Sequence, residues 1–313
     1  MARGRGMTSS FIVFLLLSSG SVRAQQTVPA QEEVRLGTIG VNVPITVYDK
    51  DGRLVTDLTV EDFEVREDGV PQRILSFSKE NELPLSVALV MDASNSVRPK
   101  LKFEKEATIA FLDGIIRPHK DRALLVTFGS VIELHQDFTD DVEDLKAAIH
   151  AVKAGGATPL YDALYRVIEE KMTMASGRRV LILISDGEDN ASERTLEEVI
   201  ELAQRTEVVI YAIGTVHAGG FGVTMGMTDA PGMKELRRLA EETGGRAFFP
   251  SKVLDLERNF SDISAELRSQ YYLFYVSSNQ NRDGRFRKIE VRILNRKDLR
   301  ARTKRGYKAP QAS

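Results

Sequence analysis

The 313-residue chain has no cysteine, which excludes disulfide cross-links and lipid attachment at a cysteine, so stability has to come from a packed core. Histidine is scarce: His119, His135, His150 and His217 are all there are. No Gly-x-Ser-x-Gly elbow, His-Glu-x-x-His helix or Gly-x4-Gly-Lys phosphate loop occurs, so three common hydrolytic and phosphoryl-transfer designs are absent. Catalysis by a metal-bound water favours histidine ligands, and the chain is expected not to be an enzyme. No internal repeat or low-complexity tract is present, and no apolar run reaches the roughly 20 residues needed to cross a bilayer. The net charge of −2 gives no basic footprint for nucleic acid. The tail Lys297 to Arg305 is the one basic stretch, and it reads as a strand edge on which Lys and Arg discourage unwanted pairing.

What is present begins with Arg3 and Arg5, an apolar stretch Phe11–Leu17, and Val22-Arg23-Ala24. This is a secretory signal layout, expected to occupy residues 1–24 with cleavage after Ala24 and otherwise to serve as an N-terminal anchor. Its removal leaves 40 basic against 45 acidic residues, a net −5. The expected location is exported: periplasmic, cell-surface or extracellular. Residues 25–35 are polar and without apolar period, a linker.

From 36 to 80 the period is two. Val41, Val43, Ile45 and Val47 alternate with polar positions, Pro44 suggests an edge strand, and Asp49–Gly52 and Glu67–Gly69 supply turns. A few strands bury too little surface to stand alone. Tyr271–Val276 and the alternation Ile289, Val291, Ile293 offer partners, so 271–310 is expected to pair with 36–80 in a small β subdomain. Between them, 81–270 alternates strand and helix. Leu85–Val90, Ala123–Phe128, Leu181–Ser185 and Val208–Gly214 are buried strands, and Gly129-Ser130 turns an antiparallel edge strand back on the second. Phe103, Ala107, Ala110 and Phe111 mark one helical face, and the last helix spans 253–270. The fold class is therefore α/β: a doubly wound, mostly parallel sheet with a small β subdomain built from N- and C-terminal strands.

The buried run ending at Val90 leads into Asp92-x-Ser94-x-Ser96 at a strand's carboxyl end. One carboxylate and two hydroxyls on alternate residues can face one small hard cation. Thr158, opening a helix, and Asp186, ending another buried strand, lie on the same edge. These five positions resemble the metal-ion-dependent adhesion site of the von Willebrand factor A family, a likeness covering roughly residues 80–278.

The resemblance implies a metal bound directly by Ser94 and Ser96, by Thr158 in the ligand-bound state, and largely through water by Asp92 and Asp186. It further implies a protein partner whose Asp or Glu completes the shell. Mg2+ suits few carboxylates and retained waters, with Mn2+ or Ca2+ as alternatives. The opening Asp62–Gly69 and the closing Arg305-Gly306-Tyr307 resemble a secreted bacterial subgroup. Glu188 and Asp189 read as acids in a helix's first turn, and the glycine-rich loop 216–227, with Phe221, Met225 and Met227, as a wall of the site. The reading is an exported, non-enzymatic binding or adhesion module. The alternatives are a scaffold or assembly factor working with an ATPase or envelope complex and, last, a metal-dependent hydrolase.

Overall fold

The computed structural model describes residues 38–79, 83–215, 231–250 and 252–311. The expected signal segment 1–24, the linker 25–35 and the loop 216–227 lie outside them. Within the described residues, two-residue alternation produces the first strands. In β1 (Gly40–Tyr48) Val41, Val43, Ile45 and Val47 are all buried. Strands β2 (Phe63–Glu67) and β3 (Val70–Gln72) meet at Asp68 and Gly69, whose φ values of 48° and 82° supply the left-handed pair a tight hairpin turn requires. Strand β4 (Ile74–Lys79) completes this segment.

A six-stranded sheet follows, made of β5 (Leu85–Asp92), β6 (Arg122–Phe128), β7 (Ile132–Thr139), β8 (Arg178–Ser185), β9 (Val208–Gly214) and β10 (Ala247–Phe248). Its order is β10-β9-β8-β5-β6-β7, parallel throughout except for β7, which returns antiparallel along β6 as the Gly129-Ser130 turn suggests. The helices are α1 (Leu101–Ile115), α2 (Val142–Ala151), α3 (Leu160–Val167), α4 (Leu196–Arg205), α5 (Pro231–Thr243) and α6 (Val253–Leu267). Every residue of β5 is buried, as a strand covered on both faces must be. Val87, Leu89 and Met91 pack with Phe111, Ile149 and Phe260 of α1, α2 and α6. Ala88 and Val90 pack with Leu164, Val199 and Leu236 of α3, α4 and α5.

The inner face of α1 differs from the face read in the sequence. Leu101, Glu104, Ala107, Thr108, Phe111, Leu112 and Ile115 are buried, while Phe103 is 38% exposed and Ala110 faces out. The aliphatic side chains of Leu101, Leu112 and Ile115 settle the rotation, and they carry Glu104 inward with them.

The chain leaves α6 into β11 (Tyr271–Val276), β12 (Phe286–Ile293), β13 (Arg300–Arg302) and β14 (Gly306–Lys308). Two antiparallel sheets result, ordered β13-β1-β11-β4 and β14-β12-β2-β3. N- and C-terminal strands thus alternate in the first sheet, while in the second they meet at the β12–β2 pair. Pro44, opposite Tyr272, has a strand on one side only, because β13 covers β1 just from Thr46 to Tyr48. The missing donor of proline is tolerated there. The two sheets share one core with Val43, Ile45, Phe63, Val65, Tyr271 and Leu273. Glu67, 2% exposed, accepts hydrogen bonds from the Tyr275 hydroxyl at 2.8 Å, Ser277 Oγ at 2.5 Å and the Tyr307 hydroxyl at 3.0 Å. One carboxylate therefore joins β2, β11 and β14.

Candidate functional site

Strands β5 and β8 are parallel neighbours in register through Met91 and Ile184, so Asp92 and Asp186 emerge at one carboxyl edge. Asp92 is fully buried and tied down: its Oδ1 accepts the Ser94 N–H at 2.8 Å and its Oδ2 the Ser185 hydroxyl at 3.0 Å. Ser94 Oγ lies 2.8 Å from Ser96 Oγ, which donates to Asp186 Oδ2 at 2.8 Å. Four of the five expected residues are thus joined in one network. The Glu188 N–H donates to the other Asp186 oxygen at 3.1 Å.

Thr158 is brought to the same edge by backbone contacts. The Gly155 N–H donates to Ala93 O at 2.6 Å, Ser130 N–H to Gly155 O at 2.9 Å and Asn95 N–H to Gly156 O at 3.4 Å. Only glycine permits this approach: a Cβ on Gly156, at φ +90°, would stand 2.2 Å from the Ser130 nitrogen, and one on Gly129 2.5 Å from Gly155 O. Asn190 clasps Thr158 from the loop after β8, accepting its N–H at 3.0 Å and donating to its carbonyl at 3.2 Å. The Thr158 side chain is 5% exposed and takes no part in the Ser–Asp network.

Asp189 corrects the sequence reading. Residues 187–194 are loop, and the helix begins only at Leu196 behind a Thr195–Glu198 capping box. Asp189 instead reaches across to α3, where Oδ1 accepts the Leu160 N–H at 2.8 Å and the Tyr161 N–H at 3.4 Å, filling donors that the helix leaves open. Asp162 answers by accepting the Glu193 and Arg194 N–H groups. The two loops are stitched both ways.

Behind the edge lie groups that sequence reasoning missed. Burial pushes the Asp92 carboxyl up to about 6, against the hydrogen bonds of Ser94, and the Asp186 charge adds to the rise. Glu104 is wholly buried, and burial pushes it up to about 7 against the pull of Lys100. Its two oxygens have no well-formed hydrogen bond, though the Thr215 hydroxyl faces them and favours the charged form. Lys100, 7% exposed, is lowered by burial and held protonated by Glu104, Asp186 and Asp92. Three carboxyls within reach of one ammonium leave a negative balance that a divalent cation neutralises.

The donor set fits such an ion. Octahedral Mg2+, with oxygens at about 2.0–2.1 Å, keeps adjacent ligands about 2.9 Å apart, and the Ser94–Ser96 spacing is 2.8 Å, with Asp186 holding Ser96 from behind by a hydrogen bond. Asp92, occupied by Ser94 and Ser185, is placed for a role through water. Among the described residues no group of three or more His, Cys, Asp or Glu side chains is arranged to hold a metal, so hydroxyls have to supply direct ligands.

A doubly wound sheet with hydroxyls and two acids at its carboxyl edge defines a class of binding domain, and the sequence places the chain within it. Residues 86–264 match the von Willebrand factor type A domain, and the chain belongs to that family. It is 31% identical over 189 residues to calcium-activated chloride channel regulator 1 of Bos taurus, covering 57% of this chain and 19% of that protein. The chain thus spans about a fifth of the curated relative it matches. Proximal thread matrix protein 1 from the mussel byssus is similar at 22% identity, covering 64% of this chain and 51% of that one with a TM-score of 0.51. A further structure of the mussel protein has a zinc-occupied MIDAS motif, with 22% identity, 64% and 49% coverage and a TM-score of 0.50. Among the described residues no helix is long and apolar enough to cross a membrane.

Proposed function

We propose that the chain is an exported binding module whose complete adhesion-type metal site, Asp92, Ser94, Ser96, Thr158 and Asp186, engages an acidic group of a protein partner. The observation that carries this reading is the 2.8 Å spacing of the Ser94 and Ser96 hydroxyls, with Ser96 hydrogen-bonded to Asp186, at the edge of β5 and β8. Ser94, Ser96 and Thr158 hold the cation directly, while Asp92 and Asp186 orient its waters and balance its charge. Mg2+ is the proposed ion, and bound there it supplies an open position for an outside carboxylate. Neutral hydroxyl ligands leave the ion enough positive charge to attract that group, and no reaction is required of the partner. Residues 1–24 act as signal, 25–35 as linker, 81–270 as the metal-binding domain, and 36–80 with 271–310 as a β subdomain of the secreted bacterial type.

The test is a thermal shift in Mg2+, Mn2+, Ca2+ or Zn2+ against chelator, with metal-dependent capture of carboxylate-bearing partners. Zinc is included because the mussel protein carries it. Saturating metal is expected to raise Tm by several degrees, since about 100 Kd of ligand adds about 2.7 kcal/mol. Asp92→Ala is expected to abolish both the shift and the capture. Retention of both by the folded variant overturns the proposal.

A further inference from the structure

At the opposite end of the parallel sheet, a cavity of about 330 Å³ lies between the first residues of β8 and β9, the end of α4, and the outer face of β4 and β11. The eight residues of β8, rising about 3.3 Å each, put it about 26 Å from Asp186. Leu83, Ala203, Val208, Val209, Leu273 and Phe274 give it apolar walls.

Its polar fittings are unequal in sign. Lys304 lines the cavity, is 5% exposed, and has no hydrogen-bond or ion-pair partner among the described residues. Its ammonium lies 6.0 Å from the centre of the Tyr307 ring. Burial lowers its proton affinity, and Glu207 attracts it from beyond ion-pair distance. Both Glu207 oxygens are already engaged, each 2.8 Å from Asn42 Nδ2. Arg178 donates to Leu267 O, Gln270 Oε1 and the Tyr272 hydroxyl, and Arg179 to Ala175 O and Thr206 O. Three cations and one carboxylate line this largely apolar space.

A buried ammonium without a partner is costly, and an anion entering beside it would recover that cost. We infer that this cavity binds a small organic carboxylate, its apolar body between α4 and β11 and its carboxylate on the Lys304 ammonium. At about 30 Å³ for each water-sized volume, the space admits a ligand of about ten non-hydrogen atoms, at the small end of the range for ligand cavities. The site is separate from the metal edge and stands whether or not a metal binds there.

The experiment uses octanoate and phenylacetate against the neutral analogues 1-octanol and 2-phenylethanol, followed by calorimetry and ligand-observed NMR. Excess chelator is present, so that a carboxylate completing a metal shell makes no contribution. The carboxylates are expected to bind at about millimolar or tighter and the alcohols at least about tenfold more weakly, with Overhauser contacts from ligand to Phe274 and Val209. Lys304→Met, which keeps the length and removes the charge, is expected to erase the preference. Should that variant fail to fold, the wild-type ratio and the Overhauser contacts decide alone. No binding at about 10 mM, equal binding of acid and alcohol, or a preference that survives in folded Lys304→Met overturns the inference.

Discussion

In the metal-free chain Asp92 keeps a proton that the unfolded chain releases near pH 4, because burial and Asp186 push its carboxyl up to about 6. The folded state therefore binds more protons than the unfolded state between those values, and stability falls as pH rises through that window before levelling off. The Asp92 share of the loss is on the order of 3 kcal/mol. Urea unfolding in chelator at pH 4.5 and 7.5 is expected to show it as the difference between wild type and Asp92→Asn, which cannot titrate. Millimolar divalent cation restores the wild type at the higher pH and leaves the variant unmoved. The motif Asp92-x-Ser94-x-Ser96, with Thr158 and Asp186, was legible in the sequence because strand ends in a parallel sheet are predictable. Glu104 and Lys100 were not, because which face of α1 turns inward depends on packing against α6 and not on period alone.

Two short loops, 155–159 and 186–195, set the edge on which the site is built, and Asn190 ties them together at Thr158. Asp189 fills the first donors of α3, so Asp189→Ala is expected to cost about 1 kcal/mol, as loss of a helix cap does. It should also weaken Mn2+ binding by about fivefold, because Thr158 immediately precedes that helix. A Mn2+ titration alongside urea unfolding checks both, and unchanged affinity would separate the cap from the site. In the sequence Asp189 stood beside Asp186 and read as a first-turn acid. Its true partners, Leu160 and Tyr161, are 29 and 28 positions away, in a loop without periodicity, where local patterns carry no information. The helix begins later, at Leu196 behind the Thr195–Glu198 box.

Across residues 36–313 the α/β sheet is inserted in the chain between the N-terminal and the C-terminal strands of a β sandwich. Alternation in β1 and β12 revealed the strands, and the need to bury them revealed that the ends pair, but Glu67 as the common acceptor was hidden by separations of 208, 210 and 240 residues. Glu67→Ala takes the shared acceptor from two buried phenols, while the Ser277 hydroxyl keeps Asn279 O at 3.0 Å, and is expected to cost about 3 kcal/mol. Limited proteolysis should cut first within the sandwich while Mn2+ affinity stays at the wild-type value. The chain enters the parallel sheet from Lys79 and returns at Tyr271, two residues that face each other across β4 and β11. Any traction on the carboxyl edge is thus delivered to a two-strand ribbon drawn in one direction. Along β1 the rungs from Gly40–Val276 to Ile45–Tyr271 then carry the load in shear, rupturing together instead of unzipping singly.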